Sequence, residues 1–168
     1  MKHLSIKSIT AIMVAAILFA ACDPGFNEDI AIRNSSSVEV TITPSPYHRA
    51  TQDSLVNGNS STPGIQPVTI AAGDHSILVT DGGLGASSLE FGQQMFQYYF
   101  NDSVVFSFAD GRKVVYHSYD TTGISPYNFS SSCYTYEEKH NKTAPFKGLA
   151  YYGCLTFTIT EANHDAAQ

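Results

Sequence analysis

The chain has 168 residues, with 9 Lys and Arg against 15 Asp and Glu, a formal charge of −6, and 20 aromatic side chains of which none is Trp. This length suits one domain with a real core. The acidic balance argues against nucleic acid as a partner and against an electrostatic grip on anionic lipid.

Lys2 and Lys7 flank the start of an apolar run from Ile9 to Ala21 that carries no charge and ends at Phe19-Ala20-Ala21-Cys22. The run is too short for a bilayer-spanning helix, which takes roughly 20 apolar residues. It reads as an export leader over residues 1–21. Phe19-Ala20-Ala21-Cys22 resembles the bacterial lipobox, with Phe19 at the usual Leu place. The resemblance implies that the Cys22 thiol becomes a diacylglyceryl thioether, the leader is removed and the new amino terminus is acylated. Each buried methylene contributes about 0.8 kcal/mol, so two or three acyl chains hold a protein on a membrane where one does not. Loss of the leader removes two lysines, leaving 7 basic and 15 acidic side chains, a balance of −8.

Residues 22–29 are expected to form the acylated cysteine and an acidic tether, and residues 30–161 a single β-domain. Ile30 and Ile32 alternate with Ala31 and Arg33, and Val38, Val40 and Ile42 with Glu39 and Thr41. Pairing Ile32 with Val38 and Ile30 with Val40 predicts a hairpin with one buried face. Residues 44–67, with four prolines among Ser, Asn and Gly, read as a long loop. Val68–Ala72 and Ser76–Thr80 flank Gly73-Asp74-His75 as a second expected strand pair. Asp81-Gly82-Gly83-Leu84-Gly85 lacks the Lys-Ser/Thr of a phosphate loop and is expected to be a flexible turn.

Ser88 is placed to cap a short helix with Leu89, Gln93, Phe96 and Phe100 on one face. For residues 103–117, a three-residue loop Ala109-Asp110-Gly111, with Gly111 left-handed, pairs Phe106 with Val114 and Val104 with Tyr116. From Leu149 to Thr160 alternate residues are large and apolar, the signature of a long last strand. Residues 162–168 read as a disordered tail. The expected fold class is all-β, a two-layer antiparallel β-sandwich with at most one short helix; an immunoglobulin-like arrangement is left open.

With Cys22 committed to lipid, Cys133 and Cys154 remain as a natural pair in an oxidising compartment, the alternative being two buried free thiols. Neither sits in a Cys-x-x-Cys arrangement, so zinc or redox chemistry is not indicated. The histidines are scattered without metal-ligand spacing, there is no nucleophile elbow, and Glu137-Glu138 would point to opposite faces of a strand. No catalytic residue, metal or cofactor is predicted. The tyrosines Tyr98, Tyr99, Tyr127, Tyr134 and Tyr136 are candidate binding aromatics, with core packing as the competing role. Asp53-Ser54, Asp102-Ser103 and Asp120-Thr121, each followed by an apolar residue or Thr, resemble the O-glycosylation acceptor of exported Bacteroidota proteins. Ser54, Ser103 and Thr121 are therefore candidate modification sites.

The lipobox, Ile30-Ala31-Ile32-Arg33-Asn34-Ser35, Phe100-Asn101-Asp102-Ser103-Val104 leading into Asp110-Gly111-Arg112-Lys113, and Leu155-Thr156-Phe157-Thr158-Ile159-Thr160-Glu161 together resemble the small lipoproteins of Bacteroidota. The resemblance implies an outer-membrane anchor and a β-fold and carries no active-site residue. Asp23, Glu28 and Asp29 resemble, loosely, the acidic run that directs such proteins to the cell surface. Two functions are expected: a non-enzymatic module contacting an envelope protein or other envelope component, or a glycan-binding accessory of a nutrient-uptake system. An enzyme ranks third and would need a buried carboxylate pair or a His–carboxylate contact.

Overall fold

The computed structural model describes residues 25–44, 66–140 and 149–168. In chain order the elements among the described residues are β1 (Gly25–Asn34), β2 (Val40–Pro44), β3 (Val68–Ile70), β4 (His75–Leu84), α1 (Leu89–Phe100), β5 (Ser103–Phe108), β6 (Lys113–His117), β7 (Tyr134–His140), β8 (Leu149–Ile159) and α2 (Glu161–Asp165). The strands form two four-stranded sheets, ordered β4-β1-β8-β7 and β3-β2-β5-β6. Alternation of side chains across each strand turns Ile30, Ile32, Leu155, Phe157 and Ile159 of the first sheet toward Val40, Ile42, Val104, Phe106 and Tyr116 of the second. The all-β sandwich expected from composition is the fold.

Its connections differ from the expected ones. Val38–Ile42 does not fold back on β1; β1 pairs with β4 and β8, whereas β2 pairs with β3 and β5 in the other layer. Both aliphatic rows do face one core, but from opposite sides. The corner between them is tied by the buried Asn34, whose Nδ2 donates to the carbonyls of Val38 (2.8 Å) and Ile70 (3.0 Å) and whose Oδ1 accepts from Ser36 N and Oγ. The segments on either side of Gly73-Asp74 likewise enter different sheets, as β3 and β4. Residues 81–84 are not a turn: β4 continues through them and pairs with Gly25–Glu28. Gly82 serves close approach there, because a Cβ on it would overlap the Phe26 carbonyl. The expected tether is correspondingly shorter, since β1 already begins at Gly25. Of the Pro-rich stretch, residues 45–65 lie outside the described residues.

The β5/β6 hairpin has the predicted register, Phe106 opposite Val114 and Val104 opposite Tyr116. Its loop closes through Gly111 N to Phe108 O (2.9 Å) with Gly111 at φ 93°. The central pair β1/β8 is parallel, so the first sheet is mixed rather than antiparallel. With β1 and β8 interior to that sheet, the order also departs from the immunoglobulin arrangement.

Helix α1 is capped by Ser88, which accepts from Phe91 N at 3.1 Å. Its buried face is Gly92, Met95, Phe96 and Phe100; Leu89 is exposed. Phe96 stacks on Phe100 at 4.2 Å, with Tyr127, Phe129 and Tyr134 edge-on around it. A second helix, α2, replaces the expected disordered tail. Asn163, fully buried, donates to Tyr116 Oη (2.8 Å) and the Ile124 carbonyl (3.0 Å), and Gln168 exchanges both backbone hydrogen bonds with Lys113.

Cys133 and Cys154 are free thiols, contrary to the expected disulfide. Cys154 stands opposite Glu137, whereas the Cys133 carbonyl accepts from Thr158 N. Four residues along β8 separate the two levels, roughly 13 Å at about 3.3 Å per residue. A disulfide needs Cα atoms within about 7 Å.

Candidate functional site

The inward face of β1 carries Ile30 and Ile32 and then, one step nearer the Gly25 end, Glu28. Its side chain is completely buried. Glu28 pairs with Asp81 on β4 and with Gly153 on β8, and Gly153 pairs with Glu138 on β7. Three carboxyl groups and one glycine thus form a row across the four strands, all on one face. The missing side chain at Gly153 makes room for the Glu28 carboxyl, which a Cβ there would overlap. From above, α1 closes the space with Gly92, where a Cβ would stand 2.8 Å from Glu28 Oε1.

Tyr136 Oη donates to Glu28 Oε2 at 3.3 Å, while Glu28 Oε1 has no hydrogen-bond partner among the described residues. Burial raises the Glu28 pKa from 4.5 to about 7; the Tyr136 bond opposes that rise, and Asp29 and Glu138 add to it. The buried Ser87 lies close to the Tyr136 phenol, whose own pKa is raised chiefly by burial. Asp81, at the edge of the row, accepts from Tyr99 Oη at 3.3 Å and from Gly82 N at 2.7 Å.

Asp29 faces the opposite side of the sheet. It is nearly buried there, accepting from Thr80 Oγ1 (2.5 Å) and from Tyr152 Oη. That bond from Tyr152 is the main reason the phenol holds its proton well above the usual range. Cys154 lies level with Asp29, and burial pushes its thiol pKa up, which makes it a weak nucleophile. Glu28 and Asp29 are both buried carboxyls, but on opposite faces they cannot flank one bond.

A third cluster fastens the C-terminal helix. Asp110, in the β5/β6 loop, accepts from His164 Nε2 (2.8 Å) and Arg112 Nε (2.7 Å), which hold its pKa down at about 2. Arg112 Nη1 donates to the His164 carbonyl at 3.3 Å, and His164 Nδ1 lies 3.4 Å from Glu161. The His164 ring also packs on Phe108. Among the described residues the ring nitrogens face Asp110 and Glu161, with Arg112 Nη2 beside both.

Cys22 and Ser54 lie outside the described residues. Ser103 opens β5, half-buried opposite His117, whereas Thr121 is exposed beside Asp120, whose Oδ2 accepts from His117 N. Tyr127 and Tyr134 belong to the core, donating to the Phe100 and Pro126 carbonyls. Tyr136 serves Glu28. Tyr98 is exposed (56 %) and Tyr99 half-buried, with rings at 90° to each other, so this pair presents no common plane to a sugar. The flat exposed stack is one the sequence did not flag: Tyr119, 75 % exposed, lies parallel to His117 at 5.0 Å.

Among the described residues no group of three His, Cys, Asp or Glu side chains could hold a metal ion. No described helix is long and apolar enough to cross a membrane. Fold and site together define a mixed two-layer β-sandwich whose helix–sheet joint contains a buried acid. Comparisons with protein-family models, curated proteins and solved structures return no match.

Proposed function

We propose that the protein is an outer-membrane lipoprotein, anchored through acyl chains on Cys22, whose β-sandwich contacts another envelope component without turning over a substrate. The observation that carries this reading is the Lys2/Lys7-flanked apolar segment ending in Phe19-Ala20-Ala21-Cys22, which resembles a lipobox. Support comes from the resemblance of the chain to small Bacteroidota lipoproteins. The distance from Cys22 to the start of β1 also fits: three residue steps reach about 10 Å, so the Gly25 end of the domain would sit close to the lipid. Among the described residues, three acidic clusters favour a domain without turnover. Glu28 is sealed between β8 and α1, Asp29 is engaged by two hydroxyls, and His164 is engaged by Asp110 and Glu161.

A second reading, a glycan-binding accessory of a nutrient-uptake system, draws on the exposed Tyr119–His117 stack, which offers one flat face to a sugar ring. Intact-mass analysis of protein extracted from membranes, with and without Cys22→Ser, tests the first reading. The expected native mass lacks residues 1–21 and carries acyl chains on Cys22, while the variant appears in the soluble fraction. An unacylated native Cys22 would refute the anchor. The same spectra report on glycosylation, for which exposed Thr121 is the expected site and half-buried Ser103 is not. Crosslinking in intact cells then separates an envelope protein partner from retention on polysaccharide that depends on Tyr119.

A further inference from the structure

Glu28 closes a joint between four elements, and each of them meets it with an acid or with no charge. β4 contributes Asp81, β7 contributes Glu138 and the Tyr136 phenol, β8 contributes Gly153, and α1 contributes Gly92 and, in its exposed first turn, Glu90. The loop before α1 adds the neutral Ser87, and on β1 itself Asp29 faces the other way. Among the described residues, the charges that raise its pKa are those of Asp29 and Glu138. One of its oxygens has no partner among the described residues, in a side chain that is completely buried. A charged carboxylate there has a single phenolic hydrogen bond to offset the loss of hydration.

We propose that Glu28 is a proton-operated fastening. Protonated, it seats α1 on the β1–β8–β7 face; ionised, it loosens that joint at the Gly25 end, around the edge-on contact of Phe26 with Phe91. This device does not depend on the lipid anchor. The folded carboxyl holds its proton more tightly than an unfolded one, with pKa about 7 against 4.5. Its stabilising effect is therefore complete below pH 4.5 and is lost as the pH rises through about 7, lowering the closing equilibrium on the order of 100-fold.

The experiment uses the full chain from pH 5 to 8.5. It follows the Glu28 carboxyl by carbon-13 NMR, and amide exchange corrected for intrinsic rates, in the native protein, Glu28→Gln and Glu138→Gln. The native carboxyl is expected to titrate near pH 7, with protection of α1 falling about 100-fold over the range while β2 and β5 stay protected. Glu28→Gln should make α1 protection independent of pH, and Glu138→Gln should lower the Glu28 midpoint by removing a like charge. A native midpoint below pH 5.5 overturns the proposal, as does an equal fall in both sheets or the same pH dependence in Glu28→Gln. Should Glu28→Gln fail to fold, the native carboxyl titration decides alone.

Discussion

At Gly153 the absence of one carbon atom determines whether a carboxyl fits inside the sandwich. A Cβ there would overlap Glu28 Oε2 and stand 2.6 Å from Tyr136 Oη, and the nearest obstacle is a buried acid rather than a mobile surface chain. Overpacking of this kind costs about 2 kcal/mol. Gly153→Ala should therefore lower the urea midpoint clearly, and Glu28→Ala in the same chain should recover a large part of that loss by vacating the space. The double-mutant cycle measures the coupling. Additive effects would mean that the side chain at 153 is excluded by something other than Glu28. Asn34 and Asn163 obey the same logic of satisfied burial. Each is fully buried, and each spends its amide on carbonyl or hydroxyl partners that join separate elements.

The buried residues of α2 are both polar, Asn163 and His164. Five residues do not form a stable helix alone, so its order comes from Asn163, from the Asp110–His164–Arg112 cluster and from the backbone pair between Gln168 and Lys113. Asn163→Ala strands the Tyr116 hydroxyl and the Ile124 carbonyl and should destabilise the domain by about 1–3 kcal/mol. Urea unfolding checks the size, and unaltered stability would show that the His164 cluster and the Gln168–Lys113 backbone pair hold the tail without Asn163. The Asp110 contribution has a definite pH direction. Its carboxyl is more acidic folded than unfolded, so the contribution is present above pH 3.8 and is lost as the pH falls toward 2.

The elements that could be read from sequence are those whose partners are close in the chain. The β5/β6 register followed from Gly111 and the positions of Phe106 and Val114, and the start of α1 from Ser88. β1 and β2 show the limit. An alternating row reveals which side chains are buried but not which layer buries them, so a hairpin and an inter-sheet corner look alike. Glu28 was hidden by its own charge. Phe26, Glu28, Ile30 and Ile32 keep a period of two, but an acid in that row reads as the end of a strand and the start of a tether. Only the strand partners, distant in sequence, reveal that Gly153 leaves it room. The tail misled for the same reason, since Asn163 and His164 are polar residues whose partners lie some 40 to 50 positions away.

For the molecule as a whole, stability rests on the two-layer core rather than on a crosslink. Phe106, edge-on to Tyr116 in one sheet, meets Phe157 of the other, and Phe96 and Phe100 of α1 extend the same core. The two thiols contribute little to this arrangement. Cys133 packs at its margin, and Cys154 lies on the outer face of β8 near Thr156. Closing a bond between them would require one of the two levels to slide four residues along β8, breaking the β7/β8 register that sets Tyr134 against Phe157 and Tyr136 against Leu155. Unfolding midpoints should consequently agree with and without a reducing agent. Alkylation of the denatured, unreduced protein should modify both Cys133 and Cys154. A midpoint that falls on reduction, with a stability loss of roughly 3 kcal/mol as expected for a crosslink of this span, would mean that the chain adopts a different β7/β8 register from the one described.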